Sequence, residues 1–189
     1  MGFSRAVALA LGEGDTVYVL NRGAEQIKDV PWNRAYVGAR VGKFTIGPVP
    51  GDEEFVADFS RPGNGPGQFI WPAGIALDSQ ENVYVTDEWL NRVSVFDKDG
   101  KFLSLWGTPG SGDGEFNGPS GIAIDQQDIL YIVDSRNHRV QKFYPAYTVS
   151  GVIRDESSQV MSGVSLTITG KITATLTSNP ARKRSASFT

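Results

Sequence analysis

The chain has 189 residues, 40% apolar and 21% charged, with a net charge of −3 and no cysteine. This composition suits one or two globular domains, excludes disulfides, thiolate metal sites and cysteine nucleophiles, and contains no apolar run of membrane-spanning length. The charge is uneven: residues 147–189 sum to +3, which leaves −6 on residues 1–146, a poor match for the phosphates of a nucleic acid.

The segment AVALALG after Arg5 is too short and too poorly followed by small residues for an export signal, and no such signal is expected. Its place is made clear further along. Glu54 to Phe96 recurs without a gap from Lys101 to Phe143, 47 residues later: PGNGPGQF returns as PGSGDGEF, GIALD as GIAID, VYVTD as LYIVD and RVSVF as RVQKF. A fixed period of this size marks a repeat architecture in which no unit buries its apolar face alone. The N-terminal stretch is a divergent first copy, with AVALAL for GIALD, TVYVLN for NVYVTD and RVGKF for RVSVF. Between Tyr18 and Arg40 it carries fourteen more residues than the next unit has between Tyr84 and Arg92. That insertion is either a solvated excursion packed by Trp32 and Tyr36 or a contact loop.

In the second unit the runs rich in β-branched and aromatic residues are Gly74 to Leu77, Asn82 to Thr86, Arg92 to Phe96 and Phe102 to Trp106. Four strands with such short connections predict an up-and-down antiparallel sheet, one propeller blade. The units then divide as 1–61, 62–108 and 109–145. In such a meander the second-to-third-strand connection and the link to the next blade share one end of the sheet. The inserted loop, Trp89, Arg136 and the Gly-rich links are therefore expected on one face.

The glycines of those links are explained by turns that need positive φ. A phosphate cradle is not indicated, since no Lys-Ser or Lys-Thr follows. Asp113 and Glu115 offer oxygens to a calcium ion, but Pro66 and Gln68 replace them one unit earlier, so no metal is expected. Asp87 with Arg92, and Asp134 with Arg139, recur at one spacing and are read as structural ion pairs tying the second strand to the third. Breaking such a pair from one side costs on the order of 3 kcal/mol. Asn137 has Leu90 at its place in the preceding unit, where Asn91 stands directly before Arg92.

After Phe143 the period stops, so the third blade is expected to lack its fourth strand. Residues 146–189 alternate Thr, Ser and Val with apolar residues and read as a separate β unit. The basic run Arg182, Lys183, Arg184 is read as a solvated tail.

The units resemble NHL repeats, whose pattern is matched by Pro119 to Asp125, Tyr131 to Asp134 and NHRVQKF from Asn137 to Phe143, and by Pro72 to Asp78 with Tyr84 to Phe96. SGVIRDESSQVMSGVSLTITG resembles the first hairpin of a carboxypeptidase regulatory-like domain, a small β-sandwich. The expected fold is all-β: a partial, three-blade NHL-type propeller followed by a β-hairpin or sandwich fragment. The resemblance implies six blades, and three cannot close a ring. The chain is then a fragment of a larger protein, an open arc, or one half of a two-copy ring, and a secreted or cell-surface parent is favoured.

The function expected is a non-catalytic binding scaffold that presents loops to a protein, peptide or glycan partner, with Trp32, Asn33, Trp89 and Arg136 as carriers, because Trp and Arg concentrate at binding hot spots. No cofactor is expected. The alternative is an enzyme of the amidating-lyase or lactonase type, which the resemblance allows. An amidating lyase would need several histidines around a metal, whereas the chain has one, His138. RNA binding, implied by likeness to animal NHL propellers, conflicts with the acidic repeats.

Overall fold

A computed structural model describes residues 5–23, 38–144, 157, 159, 166–168 and 174–176. The chain divides into two compact units, Met1–Pro145 and Ala146–Thr189.

Each repeat forms a sheet whose strands lie side by side in sequence order. The first contains β1 (Ala6–Leu11), β2 (Thr16–Asn21), β3 (Arg40–Thr45) and β4 (Glu54–Phe59). The second contains β5 (Pro72–Leu77), β6 (Val83–Asp87), β7 (Arg92–Phe96) and β8 (Phe102–Trp106). Between the second and third sheets, β9 (Thr108–Pro109) and β10 (Glu115–Phe116) make a short parallel pair within the link. The third sheet holds β11 (Pro119–Ile124), β12 (Leu130–Asp134) and β13 (Arg139–Phe143), with the 3-10 turn Ser135–Asn137 between the last two. Among the described residues this sheet has three strands, and helix is confined to that one turn. The fold is a partial β-propeller of three consecutive blades, with β5 flanked by β1 and β11.

Tight turns set the strand lengths. Asp78 takes the amides of Gln80 and Asn82 through one oxygen and the hydroxyl of Tyr84 through the other. Asp125 does the same with Gln127, Ile129 and Tyr131. A side chain that copies a backbone turn ends a strand at a fixed residue, so β5–β6 and β11–β12 keep one register.

Apolar side chains fill the two spaces between blades. Tyr18, Leu20 and Val41 of the first blade pack with Ile75, Val83, Val85 and Phe96 of the second. Val93 packs with Phe116 and Ile132, with Trp106, Ile122 and Phe143 around them. The Phe that closes each Gly-rich link is fully buried: Phe69 lies edge-on to Phe96 at 5.7 Å, and Phe116 lies 5.6 Å from Trp106. The link is thus a staple, a turn followed by an aromatic plug, as well as a connection.

Two glycine requirements are specific. Gly67 and Gly114 stand at the same place in successive links, at φ of 69° and 76°, where a side chain is strained. Gly74 has a different reason, because a Cβ there would lie 2.4 Å from the carbonyl oxygen of Ser120. The inner strands β5 and β11 approach that closely because the Thr86 hydroxyl bridges them, accepting from the Gly74 amide at 2.9 Å and donating to the Ser120 carbonyl at 2.6 Å.

In the second unit, β14 (Leu166–Ile168) and β15 (Ala174–Leu176) form an antiparallel pair. The basic run at 182–184 lies outside the described residues.

Candidate functional site at the tryptophan end of the blades

The repeated Asp and Arg are register partners across β6–β7 and β12–β13. In the third blade they form an ion pair, with Arg139 Nε donating to Asp134 Oδ2 at 2.9 Å. In the second blade they do not, which corrects the expectation for Asp87 and Arg92. The cause is the company each carboxylate keeps. Asp134 is drawn toward Arg139 by Asn137 and Gln141, which donate to the same Oδ2. Leu90 and Ser94 replace them one unit earlier, and Asp87 is satisfied by the amides of Ile70, Trp71, Trp89 and Leu90.

Both arginines share a further task that the ion-pair reading missed. Arg92 donates to the carbonyls of Asn64, Gly65 and Gln68, at 3.0, 2.7 and 3.0 Å. Arg139 donates to those of Gly112 and Glu115, at 2.6 and 3.1 Å. Each clamps the Gly-rich link of its own blade, supplying donors to carbonyls that a tight turn leaves without partners. Burial pulls the Arg92 guanidinium below its ordinary pKa, and the charge of Asp87 opposes this. Burial pushes the Asp134 carboxyl up, but hydrogen bonds from the Asn117 amide, Asn137, Arg139 and Gln141 outweigh it, and its pKa falls below the usual carboxylate value. The Glu115 carboxylate accepts from the Gly112 amide, as the Gln68 side chain does from Gly65. Both hold turns.

With the repeated polar residues engaged in the scaffold, the positions that change from blade to blade stand out. Trp71 and Trp89 correspond to Gly118 and Arg136 in the third blade and to Arg5 and Gly23 in the first. Both tryptophans are exposed. Their rings lie 6.0 Å apart, inclined at 42°. The guanidinium of Arg22 sits over Trp71 at 5.5 Å, donates to the Pro72 carbonyl at 3.0 Å and pairs with Glu88 at 3.2 Å. Ile70 adds an exposed aliphatic edge. Asp87 fixes the patch from beneath, since its buried carboxylate holds the backbone of both tryptophans.

Arg136 lies one blade further on at the same end, in the turn after β12, with its amide on the Asn117 carbonyl and its side chain beside Gly118. Asn91 links the two places, because its side-chain oxygen takes the Gly118 amide at 2.8 Å. Its backbone has φ of 52°, and His138 has 54° at the equivalent position, so Asn91 keeps a turn role despite Leu90 standing where Asn137 falls. Trp32 and Asn33 lie outside the described residues. Of the expected carriers, the structure brings Trp89 and Arg136 to one end of the sheets, and it adds Trp71, Arg22 and Glu88. The signal for Trp71 was present in the sequence: it sits between a repeated link and a repeated strand, yet faces Gly118 in the alignment.

A shallow cleft of about 180 Å³ opens between Gly38–Arg40, Asp58 and Ser60–Pro62, over the ion pair of Arg40 with Asp58. It is smaller than the roughly 300–1,000 Å³ usual for small-molecule sites. Among the described residues no group of three or more His, Cys, Asp or Glu side chains converges as a metal-binding set. No described helix is long and apolar enough to cross a membrane.

A family model described as 6-bladed beta-propeller matches residues 79–145, from the β5–β6 turn to the end of β13. No curated protein matches the chain. Among solved structures, the chain is similar to an auxiliary nutrient binding protein from Bacteroides thetaiotaomicron, at 15% identity and a TM-score of 0.45, over 68% of this chain and 34% of that one. It is also similar to a streptogramin B lyase, at 13% identity and a TM-score of 0.41, over 77% of this chain and 56% of that one. The chain thus spans about a third of the first protein and just over half of the second.

Proposed function

We propose that the protein is a non-catalytic binding module, an NHL-type propeller scaffold that presents the Trp71–Trp89 end of its blades to a protein, peptide or glycan partner. The observation that carries this reading is the pair of exposed, mutually inclined indole rings whose backbones are pinned by one buried carboxylate. Exposing two large aromatic surfaces forgoes the stabilisation that burying them would bring. Holding them rigidly lowers the entropy lost when a ligand docks.

The chemistry of the patch defines its ligand. Two indole faces offer a platform for a flat apolar surface, such as a sugar ring face or a proline ring. Arg22 and Glu88 offer donors and acceptors at its rim, with Arg136 one blade further on, the apolar-centre, polar-rim arrangement of binding hot spots. The segment after residue 145 is, in this reading, a carboxypeptidase regulatory-like β domain, and the protein is secreted or displayed at the cell surface.

The test is a comparison of wild type with Trp71→Ala/Trp89→Ala on glycan and peptide arrays, with far-ultraviolet circular dichroism as the folding control. The reading expects ligands retained by wild type to be lost from the double variant while its strand signal is unchanged. An identical ligand profile for the two proteins would overturn it.

A further inference from the structure

The repeated carboxylates Asp87 and Asp134 are used in opposite ways. Asp134 accepts one backbone amide among the described residues, that of Asn117 at 2.7 Å, and otherwise takes the side chains of Asn137, Arg139 and Gln141, all on Oδ2. Asp87 takes no described side chain. Its oxygens hold the amides of Ile70, Trp71, Trp89 and Leu90, at 2.8, 3.2, 3.0 and 2.9 Å. In the third blade the amides at the places of Trp71 and Trp89 go elsewhere, that of Gly118 to Asn91 and that of Arg136 to the Asn117 carbonyl.

What differs is the pair of residues within reach of the carboxylate. Leu90 stands at the place of Asn137 and carries no donor, and Ser94 stands at the place of Gln141 and is too short. The Gln141 carboxamide spans Asp134, the Glu115 carbonyl and the Gly114 amide, at 3.1, 2.7 and 3.1 Å. The Ser94 hydroxyl, on a residue 1% exposed, has no hydrogen-bond partner among the described residues, and neither has the buried Nε of Arg92. Two buried donors left unpaired on the strand beside Asp87 cost stability. Local violations of this kind collect at functional sites.

We infer that Leu90 and Ser94 are the positioning residues of the tryptophan platform: by withholding donors from Asp87 they leave its carboxylate free to hold the backbones of Trp71 and Trp89, and Arg92 forgoes its ion pair as a result. This rests on the reading that the platform binds a partner. A blade with Asn and Gln at these two places, as the third has, gives its carboxylate to the arginine instead. Val85 pairs with Ser94 where the larger Ile132 pairs with Gln141, which makes space in the second blade for a longer side chain.

The experiment grafts the third-blade pair into the full chain as Leu90→Asn/Ser94→Gln, with Ser94→Ala as the control that removes the hydroxyl without adding a donor. Nuclear magnetic resonance follows the amide exchange of Trp71 and Trp89 and the Arg92 Nε–H signal, and ligand retention is compared on the glycan and peptide arrays. The graft is expected to speed exchange of both amides at least about tenfold, to move the Arg92 signal toward that of Arg139, and to lose the ligands that wild type retains. Ser94→Ala is expected to match wild type in all three. Unchanged exchange in the graft overturns the inference, as does a Ser94→Ala variant that behaves like the graft. Ligands kept by the graft despite faster exchange also overturn it, provided that Trp71→Ala/Trp89→Ala loses them. If that double variant keeps them, the binding reading fails, and amide exchange still decides whether Leu90 and Ser94 direct Asp87. Should the graft not fold, the reciprocal Asn137→Leu/Gln141→Ser must move the Arg139 Nε–H signal toward that of Arg92, and an unmoved signal sinks the inference.

Discussion

Asp87 accepts the backbone amide of Trp89 at 3.0 Å and, through the same buried carboxylate, that of Trp71 at 3.2 Å. One side chain thus fixes both ends of the proposed platform. Asp87→Ala leaves the amides of Ile70, Trp71, Trp89 and Leu90 without their acceptor. The expected loss of stability is about 2–4 kcal/mol, from several charge-assisted hydrogen bonds at once. Urea unfolding measures the loss, and the indole emission should change in the native baseline as the rings lose their fixed geometry. A native spectrum identical to wild type would separate Asp87 from the platform.

The two clamp arginines differ in one respect. Both hold the carbonyls of a Gly-rich link, but Arg139 alone also neutralises a buried carboxylate. Arg139→Ala should therefore cost more than Arg92→Ala, by about 1 kcal/mol or more, because it leaves Asp134 short of its counter-ion. Equal losses in paired denaturant titrations would show that the clamp alone matters.

Acid should act through Asp134. Its folded pKa lies below its ordinary value of 3.8, so the stability that it contributes is complete above that value and is lost as the pH falls through the folded pKa. Asp134→Asn should flatten the acid limb of the stability–pH curve and leave its alkaline side unchanged. The measurement is the unfolding midpoint as a function of pH for the two proteins.

Alkali should act through two tyrosines. Burial first, then the charge and hydrogen bond of Asp78, raise Tyr84 from 10.0 to about 12. Burial, then Glu81, Asp99 and Asp97, raise Tyr18 likewise to about 12. A raised folded pKa stabilises below the unfolded value and is lost as the pH rises, so the window is pH 10 to 12. Ultraviolet titration should show late phenolate formation coupled to unfolding, with the Tyr84 contribution absent from Tyr84→Phe.

Much of this was legible in the sequence because the chain says everything almost twice. The repeat located the four strands of the middle blade within a residue or two, and its stop at Phe143 agrees with the three strands that the third sheet has among the described residues. It misleads at Asp87, because identical spacing does not ensure identical bonding. The partners that steer the Asp134 carboxylate, Asn137 and Gln141, had already been replaced by Leu90 and Ser94 in the earlier unit. The clamp on the links was hidden for a different reason: backbone carbonyls leave no trace in a residue pattern. Trp71 is invisible to a pattern of recurrence because Gly118 stands at its place in the next unit, and a surface that contacts something else is free to differ from blade to blade.

The central claim, that the Trp71–Trp89 end carries the binding, is tested most directly by calorimetric titration of a ligand retained on the arrays into three proteins: wild type, Trp71→Ala/Trp89→Ala, and Leu103→Ala, which alters an exposed apolar residue of β8 instead. The account predicts that the double variant binds at least about tenfold more weakly, roughly 1.4 kcal/mol or more, with its melting temperature and the affinity of Leu103→Ala unchanged. Equal affinity in all three proteins would contradict it.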